Sequence, residues 1–228
     1  MKRSDSSPVI IALDGPAGAG KSTLAQQLAR RLGYVHLNSG ALYRAVALLG
    51  LRNRVSPEDG PRLAELARQA RMEFTSTGRL LVNGEDVTEA IRAPQVDAVV
   101  SRVAVHPPVR EAVTEHQRRI AGRGNVVVEG RDIGTVVFPE AQIKFYVDAS
   151  VEERARRRYL QLRQEQGTVP PLEEIERQIR ERDRADSTRE TSPLRVADDA
   201  ILVDTTGRTV EQVVEEMVQI VRKRLYAS

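Results

Sequence analysis

The sequence lacks cysteine and tryptophan, and aromatic residues make up only 4% of its 228 positions. Without cysteine, the chain forms no disulfide framework and offers no thiol nucleophile or cysteine-ligated metal. The scarcity of aromatic side chains leaves little to stack on single-stranded nucleic acid. No apolar run approaches the roughly 20 residues of a membrane helix, and the five apolar residues after Pro8 are too few for a signal-peptide core. We therefore expect a cytoplasmic protein without a membrane partner.

Lysine is also scarce, because 31 of the 35 basic residues are arginine, whereas the formal net charge is only +3. So small a net charge does not indicate binding to nucleic acid, and we expect no nucleic-acid partner. An arginine guanidinium is a planar fork that holds phosphate oxygens in pairs, so the positions of the arginines are informative. A compositional bias toward arginine would explain the ratio equally well.

Short apolar runs alternate with helical periodicities along the chain. This alternation is typical of an α/β protein with a parallel sheet and helices on both faces. Helical patterns include residues 22–32, which end at Gly33, and about residues 210–225. We expect five buried strands, at residues 9–13, 35–37, 126–128, 143–147 and 200–203.

One stretch interrupts the alternation. Residues 72–76 and 79–82, joined by a Thr77-Gly78 turn and followed by Asn83-Gly84, predict an antiparallel hairpin, and a helical pattern then runs from Ala93 into Pro107-Pro108. We interpret this stretch as an inserted subdomain, with a decorated edge of the main core as the alternative. The predicted division is a disordered tail at 1–8, a core at 9–59 and 106–228, and an insert at 60–105.

A glycine-rich motif, G-P-A-G-A-G-K-S at residues 15–22, lies between a predicted strand and a predicted helix. Its spacing is that of a phosphate-binding loop, in which backbone N–H groups and a helix N-terminus hold a nucleoside triphosphate. Lys21 would bring positive charge to the β- and γ-phosphates, and Ser22 would offer a hydroxyl to Mg²⁺. We expect ATP to contact the whole motif and the next residue: Gly15, Pro16, Ala17, Gly18, Ala19, Gly20, Lys21, Ser22 and Thr23.

Two further polar segments follow predicted strands. Residues 38–44 read N-S-G-A-L-Y-R, and we expect Ser39 to cap a helix that carries Arg44. Ligands bind at the carboxyl ends of parallel strands, so Arg44 is placed to hold a second, smaller anion. A solvated helix surface is the alternative for Arg44.

The other segment, E-G-R-D-I-G-T, follows the third predicted strand. Glu129 there could orient Mg²⁺ directly or through water. Arg131 adds a second phosphate-binding fork, and Asp132 can accept a hydrogen bond from the exocyclic amine of a base. A simple glycine turn is the alternative interpretation.

Two charged helices complete the candidates. In the first, Ser150 is predicted to cap the helix, and Glu152–Arg156 and Glu153–Arg157 are predicted i,i+4 ion pairs. Arg154 and Arg158 form a like-charged i,i+4 pair, which predicts an anion between them. The second helix, about residues 172–186, carries Arg182, Arg184 and Asp186, and the two helices would form a lid over residues 154–185. A solvated helix end is the alternative for the lid.

Taken together, these motifs resemble the nucleoside monophosphate kinases and, among them, the bacterial-type cytidylate kinases. The most specific segments are residues 14–22, 37–44, 129–139 (E-G-R-D-I-G-T-V-V-F-P) and 181–189 (E-R-D-R-A-D-S-T-R). The resemblance implies a P-loop three-layer fold with a central parallel sheet, an inserted subdomain that binds the monophosphate, and a short helical lid. It also implies ATP-dependent phosphorylation of CMP and dCMP by a monomer, with Mg²⁺ bound to ATP.

The resemblance assigns roles to individual residues. Ser39, Ser101, Arg110 and Asp132 would surround the cytosine ring, with Asp132 and Ser101 at its 4-amino edge. Arg44 and Arg131 would hold the acceptor phosphate. The residues near the ribose would be Asp186, Arg182 and Arg189, and those covering ATP would be Arg154 and Arg158. Charge on the transferred phosphoryl group would be balanced by Lys21, Arg131, Arg158 and Arg182.

The main alternative is a P-loop kinase of another nucleoside monophosphate or small acceptor, which would have no use for a base-recognising Asp132. A nucleotide switch or motor is disfavoured because neither an N-K-x-D nor an L-S-G-G-Q motif occurs. A nucleoside monophosphate loses its second phosphate proton near pH ~6, so the acceptor is already a dianionic nucleophile and needs no general base.

Overall fold

The computed structural model describes residues 8–75, 77–166 and 169–226. Residues 1–7 of the predicted tail and Gly167 and Thr168 of the predicted lid turn lie outside the described part. Within it, strands and helices alternate as the sequence predicts. The strands are β1 (Ile10–Asp14), β2 (Val35–Asn38), β3 (Met72–Phe74), β4 (Leu80–Val82), β5 (Glu85–Asp86), β6 (Val126–Glu129), β7 (Ile143–Asp148) and β8 (Ile201–Asp204).

Helices fill most of the intervals between these strands. A 3₁₀ turn over Ala90–Arg92 and a π-helical turn over Ile133–Val137 are the short exceptions. None of the described helices combines the length and the apolar composition that a bilayer crossing requires. The α-helices are α1 (Lys21–Leu32), α2 (Ser39–Arg52), α3 (Gly60–Gln69), α4 (Pro94–Val103), α5 (Pro107–Ala121), α6 (Val151–Gln166), α7 (Leu172–Thr188) and α8 (Val210–Tyr226).

The larger sheet has five strands in the order β2-β6-β1-β7-β8. The β1–β7 and β7–β8 pairs are parallel, with Leu13 opposite Phe145 and Phe145 opposite Ile201. All five strands coincide with predicted ones, so the prediction of a central parallel sheet is confirmed. Because β1 is the middle strand, the loop at its carboxyl end lies where ligands bind in open α/β sheets.

The predicted hairpin forms the smaller, antiparallel sheet β3-β4-β5. Met72 pairs with Val82 and Phe74 with Leu80. Asn83 and Gly84 both have positive φ, 52° and 85°, which is the conformation of a two-residue type I′ turn. This turn leads into β5, a strand that the sequence did not predict. The helical pattern after Ala93 is divided into α4 and α5, and α5 begins at Pro107, where a proline fits the first helical turn.

The described chain divides into two compact units. The first comprises residues 8–10 and 33–128, and the second comprises residues 11–32 and 129–226. The predicted insert at 60–105 lies within the first unit, and its boundaries stay a prediction. In the second unit, α6 packs on α7 through a buried apolar cluster of Ala155, Ile175 and Ile179, so these two charged helices form a hairpin with a core of its own.

Candidate active site

The segment between β1 and α1 is a loop whose backbone depends on glycine. Gly15, Gly18 and Gly20 have φ values of 147°, 79° and 86°, which side chains on L residues rarely tolerate. A Cβ at Gly15 would lie 2.0 Å from the carbonyl oxygen of Val147 on β7, so the loop packs directly on that strand. The loop enters α1 at Lys21, and the N–H groups of a helix N-terminus bind anions. The backbone therefore has the form of a phosphate-binding loop.

Lys21 is buried, and its Nζ donates a hydrogen bond to the Pro16 carbonyl oxygen at 2.5 Å. Burial, and then the positive charge of Arg131, lower the pKa of Lys21 well below its ordinary value. The negative charges of Glu129 and Asp14 act in the opposite direction. A phosphate group arriving beside Lys21 would favour its charged form in the same way.

Ser22 and Glu129 contact each other although 107 residues separate them. Ser22 Oγ donates to Glu129 Oε2 at 2.6 Å, and Glu129, the last residue of β6, is buried. A hydroxyl and a carboxylate are the hard oxygen donors that Mg²⁺ prefers, so this pair fits a magnesium ion. The described residues contain no cluster of three His, Cys, Asp or Glu side chains that could hold a metal. Such a Mg²⁺ would therefore take its remaining ligands from water and phosphate, as is usual.

Three residues from two separate motifs come together near Lys21. Arg131 Nε donates to Asp186 Oδ2 at 2.9 Å, and an Arg189 nitrogen lies 3.9 Å from Asp186 Oδ1. All three side chains are about one-fifth exposed. Arg131 and Asp186 are both close enough to Lys21 to shift its pKa. The phosphate loop is thus bordered by a cationic group that one carboxylate holds together.

Arg182 and Asp132 are two more predicted site residues of this unit. Arg182 is exposed one helical turn before Asp186 on α7. Asp132 is buried at the position that precedes the π-helical turn, and its side chain makes no capping hydrogen bond to that turn.

The turn is instead held by Asp14, which sequence analysis missed. Asp14 Oδ1 accepts a hydrogen bond from Ile133 N at 2.8 Å, and Asp14 Oδ2 accepts one from Gly134 N at 2.7 Å. Burial raises the pKa of Asp14 to about 6 despite these two bonds. An acidic residue at the end of an otherwise apolar strand was the available signal.

Arg154 is buried, whereas Arg158, the other member of the predicted like-charged pair, is exposed. The Arg154 guanidinium donates to the carbonyl oxygens of Ala149 at 3.0 Å and Ala17 at 3.1 Å. It also pairs with Asp183 Oδ2 on α7 at 2.7 Å. Asp183 therefore supplies a negative charge beside Arg154, and Arg154 braces the phosphate loop through its bond to Ala17. The predicted contact of Arg154 with ATP stays a prediction.

Arg158 is exposed and donates to Gln161 Oε1 at 2.9 Å. Its predicted contact with ATP stays a prediction.

The first turns of α6 confirm part of the predicted charge pattern. Ser150 Oγ accepts from Glu153 N at 3.2 Å, which is the predicted cap. Glu153 pairs with Arg157 at 2.9 Å, as predicted. The predicted Glu152–Arg156 pair is wrong, because Glu152 reaches Arg180 on α7 at 3.3 Å and Arg156 lies 3.7 Å from Glu153. The competing partner on α7 is invisible to a pattern confined to one helix.

Arg157 also makes a contact that sequence analysis missed. Its Nη1 donates to Thr205 Oγ1 at 2.9 Å, and its Nη2 donates to the Thr205 carbonyl oxygen at 2.7 Å. Thr205 Oγ1 lies 3.3 Å from the carbonyl oxygen of Ala19 in the phosphate loop. The signal was the position of Thr205 directly after a strand of the parallel sheet.

The Arg154–Asp183 ion pair provides a test of how the loop is braced. Breaking a buried pair leaves a charge without its partner, so Asp183→Asn is expected to lower the free energy of unfolding by about 2 kcal/mol. Urea denaturation measures this change. The control is Glu181→Gln, which removes an exposed ion pair with Arg177 and is expected to leave the midpoint unchanged. Equal stability of the two variants would contradict a bracing role.

In the first unit, the start of α2 corrects the predicted cap. Asn38 Oδ1 accepts from Ala41 N at 3.0 Å and is the N-cap, whereas Ser39 is the first helical residue and is buried. Asparagine caps helices as well as serine does, so the motif allowed either. Arg44 pairs with Asp97 at 2.6 Å and donates to the Ile91 carbonyl oxygen at 3.1 Å.

Arg110 and Ser101 lie in the same unit. Arg110 is buried, donates to the Ala104 carbonyl oxygen at 3.1 Å, and places its guanidinium 5.3 Å from the ring centroid of Tyr43. Ser101 is exposed on α4. Sequence analysis missed Tyr43, which lies four residues after Ser39 and so on the same face of α2.

The predicted residues therefore fall into two sets. The phosphate loop and the predicted residues from Glu129 onward lie in the second unit, whereas Ser39, Arg44, Ser101 and Arg110 lie in the first. Within the second unit, the structure brings Lys21, Arg131, Asp186 and Arg189 together, and it buries Arg154 but exposes Arg158.

Comparison with known proteins identifies the family. The family model for cytidylate kinase matches residues 11–223. A cytidylate kinase of Geobacter sp. strain M21 is 48% identical over 220 residues, which are 95% of this chain and 94% of that protein. The cytidylate kinase of Caldanaerobacter subterraneus subsp. tengcongensis is 50% identical over 215 residues, covering 94% and 95% of the two chains.

Among solved structures, an uncharacterized protein from Eubacterium ventriosum aligns with a TM-score of 0.55 over 95% of this chain and 99% of that one. It is only 10% identical, so this likeness concerns the fold alone. The family match spans nearly the whole chain and includes the phosphate loop and every other predicted site residue. On this ground, the chain is a member of the cytidylate kinase family.

Proposed function

We propose that the chain transfers the γ-phosphoryl group of ATP to CMP and dCMP, giving CDP or dCDP and ADP. The observation that carries the proposal is the proximity of Lys21, in a phosphate-binding loop, to the cationic group formed by Arg131, Asp186 and Arg189. A phosphoryl transfer between two nucleotides brings two polyanions together and needs such charge where they meet. The names of the two relatives described above, both cytidylate kinases, support the choice of acceptor.

The reaction requires positioning more than covalent help. An oxygen of the acceptor phosphate attacks the γ-phosphorus in line, and the bond to the β,γ-bridging oxygen breaks as ADP leaves. Because most CMP is dianionic at pH 7, no residue has to remove a proton. Lys21 and Arg131 would stabilise the charge on the phosphoryl group. Arg158 on α6 and Arg182 on α7, the two lid helices, would contribute further positive charge.

Mg²⁺ bound with ATP would neutralise charge on the β- and γ-phosphate oxygens. The residues that would hold it are Ser22, through its hydroxyl, and Glu129, through water. Their hydrogen bond at 2.6 Å supports this assignment, because it brings the two oxygen atoms close together.

We propose separate contacts for the base, the phosphate and the ribose of the acceptor. Asp132, Ser101, Arg110 and Ser39 are proposed to contact the base, with Asp132 accepting a hydrogen bond from the 4-amino group. Arg44 and Arg131 are proposed to hold the phosphate, and Asp186 the ribose. In this proposal residues 60–105 are the inserted subdomain that binds the monophosphate. The protein would act as a monomer in the cytoplasm, with ATP, Mg²⁺ and the acceptor as its ligands.

A panel of acceptors tests the proposal directly. With ATP and Mg²⁺ held constant, kcat/KM is measured for CMP, dCMP, UMP, AMP and GMP. CMP and dCMP are expected to exceed UMP by roughly 10- to 100-fold, because UMP presents an oxygen where Asp132 needs a donor. Equal turnover of AMP and CMP would contradict the proposed specificity, and preference for a different acceptor would favour another kinase of the same fold.

A further inference from the structure

Thr205 joins the end of β7 to the phosphate loop. It directly follows β8 and is only 3% exposed. Its N–H donates to the carbonyl oxygen of Asp148, the last residue of β7, at 2.9 Å. Its hydroxyl oxygen lies 3.0 Å from that same carbonyl oxygen and 3.3 Å from the carbonyl oxygen of Ala19 in the phosphate loop. So small an exposed surface leaves Thr205 to act on a ligand through the loop rather than by direct contact.

Arg157 decides how the Thr205 hydroxyl is used. Arg157 Nη1 donates to Thr205 Oγ1 at 2.9 Å, and a hydroxyl has only one hydrogen of its own. Because the oxygen accepts from Arg157, that hydrogen is directed to a carbonyl oxygen. The Thr205 N–H already donates to Asp148, whereas it is the hydroxyl that reaches Ala19. A charged donor also polarises the O–H group and strengthens the bond that the hydroxyl gives.

The guanidinium of Arg157 is itself held in place. Its Nε donates to Glu153 Oε1 at 2.9 Å, and its Nη2 donates to the Thr205 carbonyl oxygen at 2.7 Å. All three of its nitrogen atoms therefore bond within the protein. A Cβ at Gly20 would lie 3.6 Å from Arg157 Nη1, so the guanidinium lies against the phosphate loop. These contacts suit a group that orients its neighbours.

The direction of the Ala19 carbonyl also sets the direction of the next N–H group. In a planar trans peptide the C=O and the following N–H point in opposite directions. Holding the Ala19 carbonyl toward Thr205 therefore turns the Gly20 N–H to the other side. Gly20 has a φ of 86° and immediately precedes α1, where N–H groups bind phosphate in a loop of this kind. A peptide beside a glycine turns easily, so this donor needs a contact that fixes it.

We infer that Thr205 and Arg157 are positioning residues for ATP, because together they hold the Ala19–Gly20 peptide with its N–H directed at the bound phosphates. The inference rests on the proposed function for the identity of the nucleotide, whereas the hydrogen bonds that carry it belong to the protein alone. Both residues act on the loop that binds the donor. Their substitution is therefore expected to weaken the binding of ATP and to leave the binding of the acceptor unchanged.

Substitutions at Thr205 separate this role from simple stabilisation. Thr205→Val is nearly isosteric but has no hydroxyl, whereas Thr205→Ser retains the hydroxyl and loses the methyl group. The matched control is Thr206→Val, because the hydroxyl of the exposed Thr206 accepts from Ser150 N at 3.0 Å. The Kd of MgATP is measured by calorimetry without any acceptor. The KM values for ATP and CMP and the midpoint of thermal unfolding are measured for the same proteins.

Thr205→Val is expected to raise the Kd and the KM for ATP about fivefold, the usual effect of one hydrogen bond. The KM for CMP is expected to change less than about twofold. Thr205→Ser and Thr206→Val are expected to bind ATP as the wild type does, even if Thr205→Ser unfolds at a lower temperature. Inorganic triphosphate, which has no base or ribose, is expected to lose affinity by the same factor as ATP. Equal weakening by valine and serine, or an equal rise of both KM values, would overturn the inference.

A second pair of variants tests whether Arg157 acts through Thr205. Arg157→Gln is expected to raise the Kd of MgATP about fivefold in the wild type and less than about twofold in the Thr205→Val background, because both substitutions act through one hydroxyl. The control is Arg156→Gln, which alters the adjacent arginine of α6, 71% exposed, and is expected to leave the Kd unchanged. If Thr205→Val does not fold, the comparison of Arg157→Gln with Arg156→Gln still decides.

Additive losses would assign Arg157 to direct contact with ATP and overturn the inference, as would equal Kd values for Arg157→Gln and Arg156→Gln. If the Kd values change as expected but CMP is not phosphorylated, the proposed function fails and the positioning role stands. If the wild type does not bind MgATP, both fail.

Discussion

Replacement of Lys21 by methionine is expected to lower kcat for phosphoryl transfer by about 10²–10³-fold, the usual loss when one donor that stabilises transition-state charge is removed. Methionine retains the length and volume of the lysine stem but has no positive charge. Steady-state assays with CMP and ATP measure the change. The control is Lys223→Met, which alters an exposed lysine on α8 and is expected to retain wild-type activity.

Thermal unfolding of Lys21→Met distinguishes a loss of catalytic activity from a loss of folded protein. The pKa of Lys21 is lowered in the folded protein, so the folded state holds the proton less tightly than the unfolded state does. The charged lysine therefore opposes folding at neutral pH, and its cost is relieved only as the pH rises toward the ordinary lysine pKa. Lys21→Met is accordingly expected to unfold at the same temperature as the wild type or a higher one. An active variant, or an inactive one with a lower midpoint, would contradict the assignment.

Replacement of Arg131 by alanine is expected to lower kcat/KM for CMP by about 10³-fold, because an arginine that contacts a transferring phosphoryl group contributes at least that much. Arg131→Lys retains the charge but not the planar fork, and it is expected to recover only about tenfold of the loss. The comparison of the three proteins by initial rates separates the contribution of charge from that of geometry.

The same substitution changes the surroundings of Lys21 and Asp186. Removal of the positive charge at Arg131 is expected to raise the pKa of Lys21, since that charge is the second-largest cause of its depression. The control is Arg208→Ala, which breaks a surface pair with Glu216 and is expected to leave kcat/KM unchanged. Retention of more than a tenth of the wild-type kcat/KM by Arg131→Ala would remove Arg131 from the proposed acceptor site.

The parts of the fold that local chemistry determines could be predicted from the sequence. The strands of the central sheet are short and mostly apolar. The turn at Asn83-Gly84 needs two left-handed residues of the kind that asparagine and glycine supply. The Ser150 cap and the Glu153–Arg157 pair join residues at most four positions apart, so the local sequence was enough to predict them.

The features that sequence analysis missed depend on partners far along the chain. Arg154 bonds to Ala17, 137 positions away, and Asp14 bonds to Ile133, 119 positions away. Helix periodicity compares residues three or four apart, so it assigned Arg154 to a like-charged pair with Arg158 and gave Asp14 no role. Only the packing of the folded chain shows that Arg154 contacts the phosphate loop and that Asp14 contacts the turn after β6.

The contact between Gly15 and the Val147 carbonyl oxygen has a consequence for how such a protein diversifies. The donor half of the site is fixed by main-chain packing between β1 and β7, which tolerates almost no substitution. Two of the groups proposed to hold the acceptor, Arg131 and Asp132, are side chains in the separate turn after β6 and can be exchanged one at a time. Substitutions in that turn can therefore change the acceptor preference while the phosphate-binding loop stays unchanged.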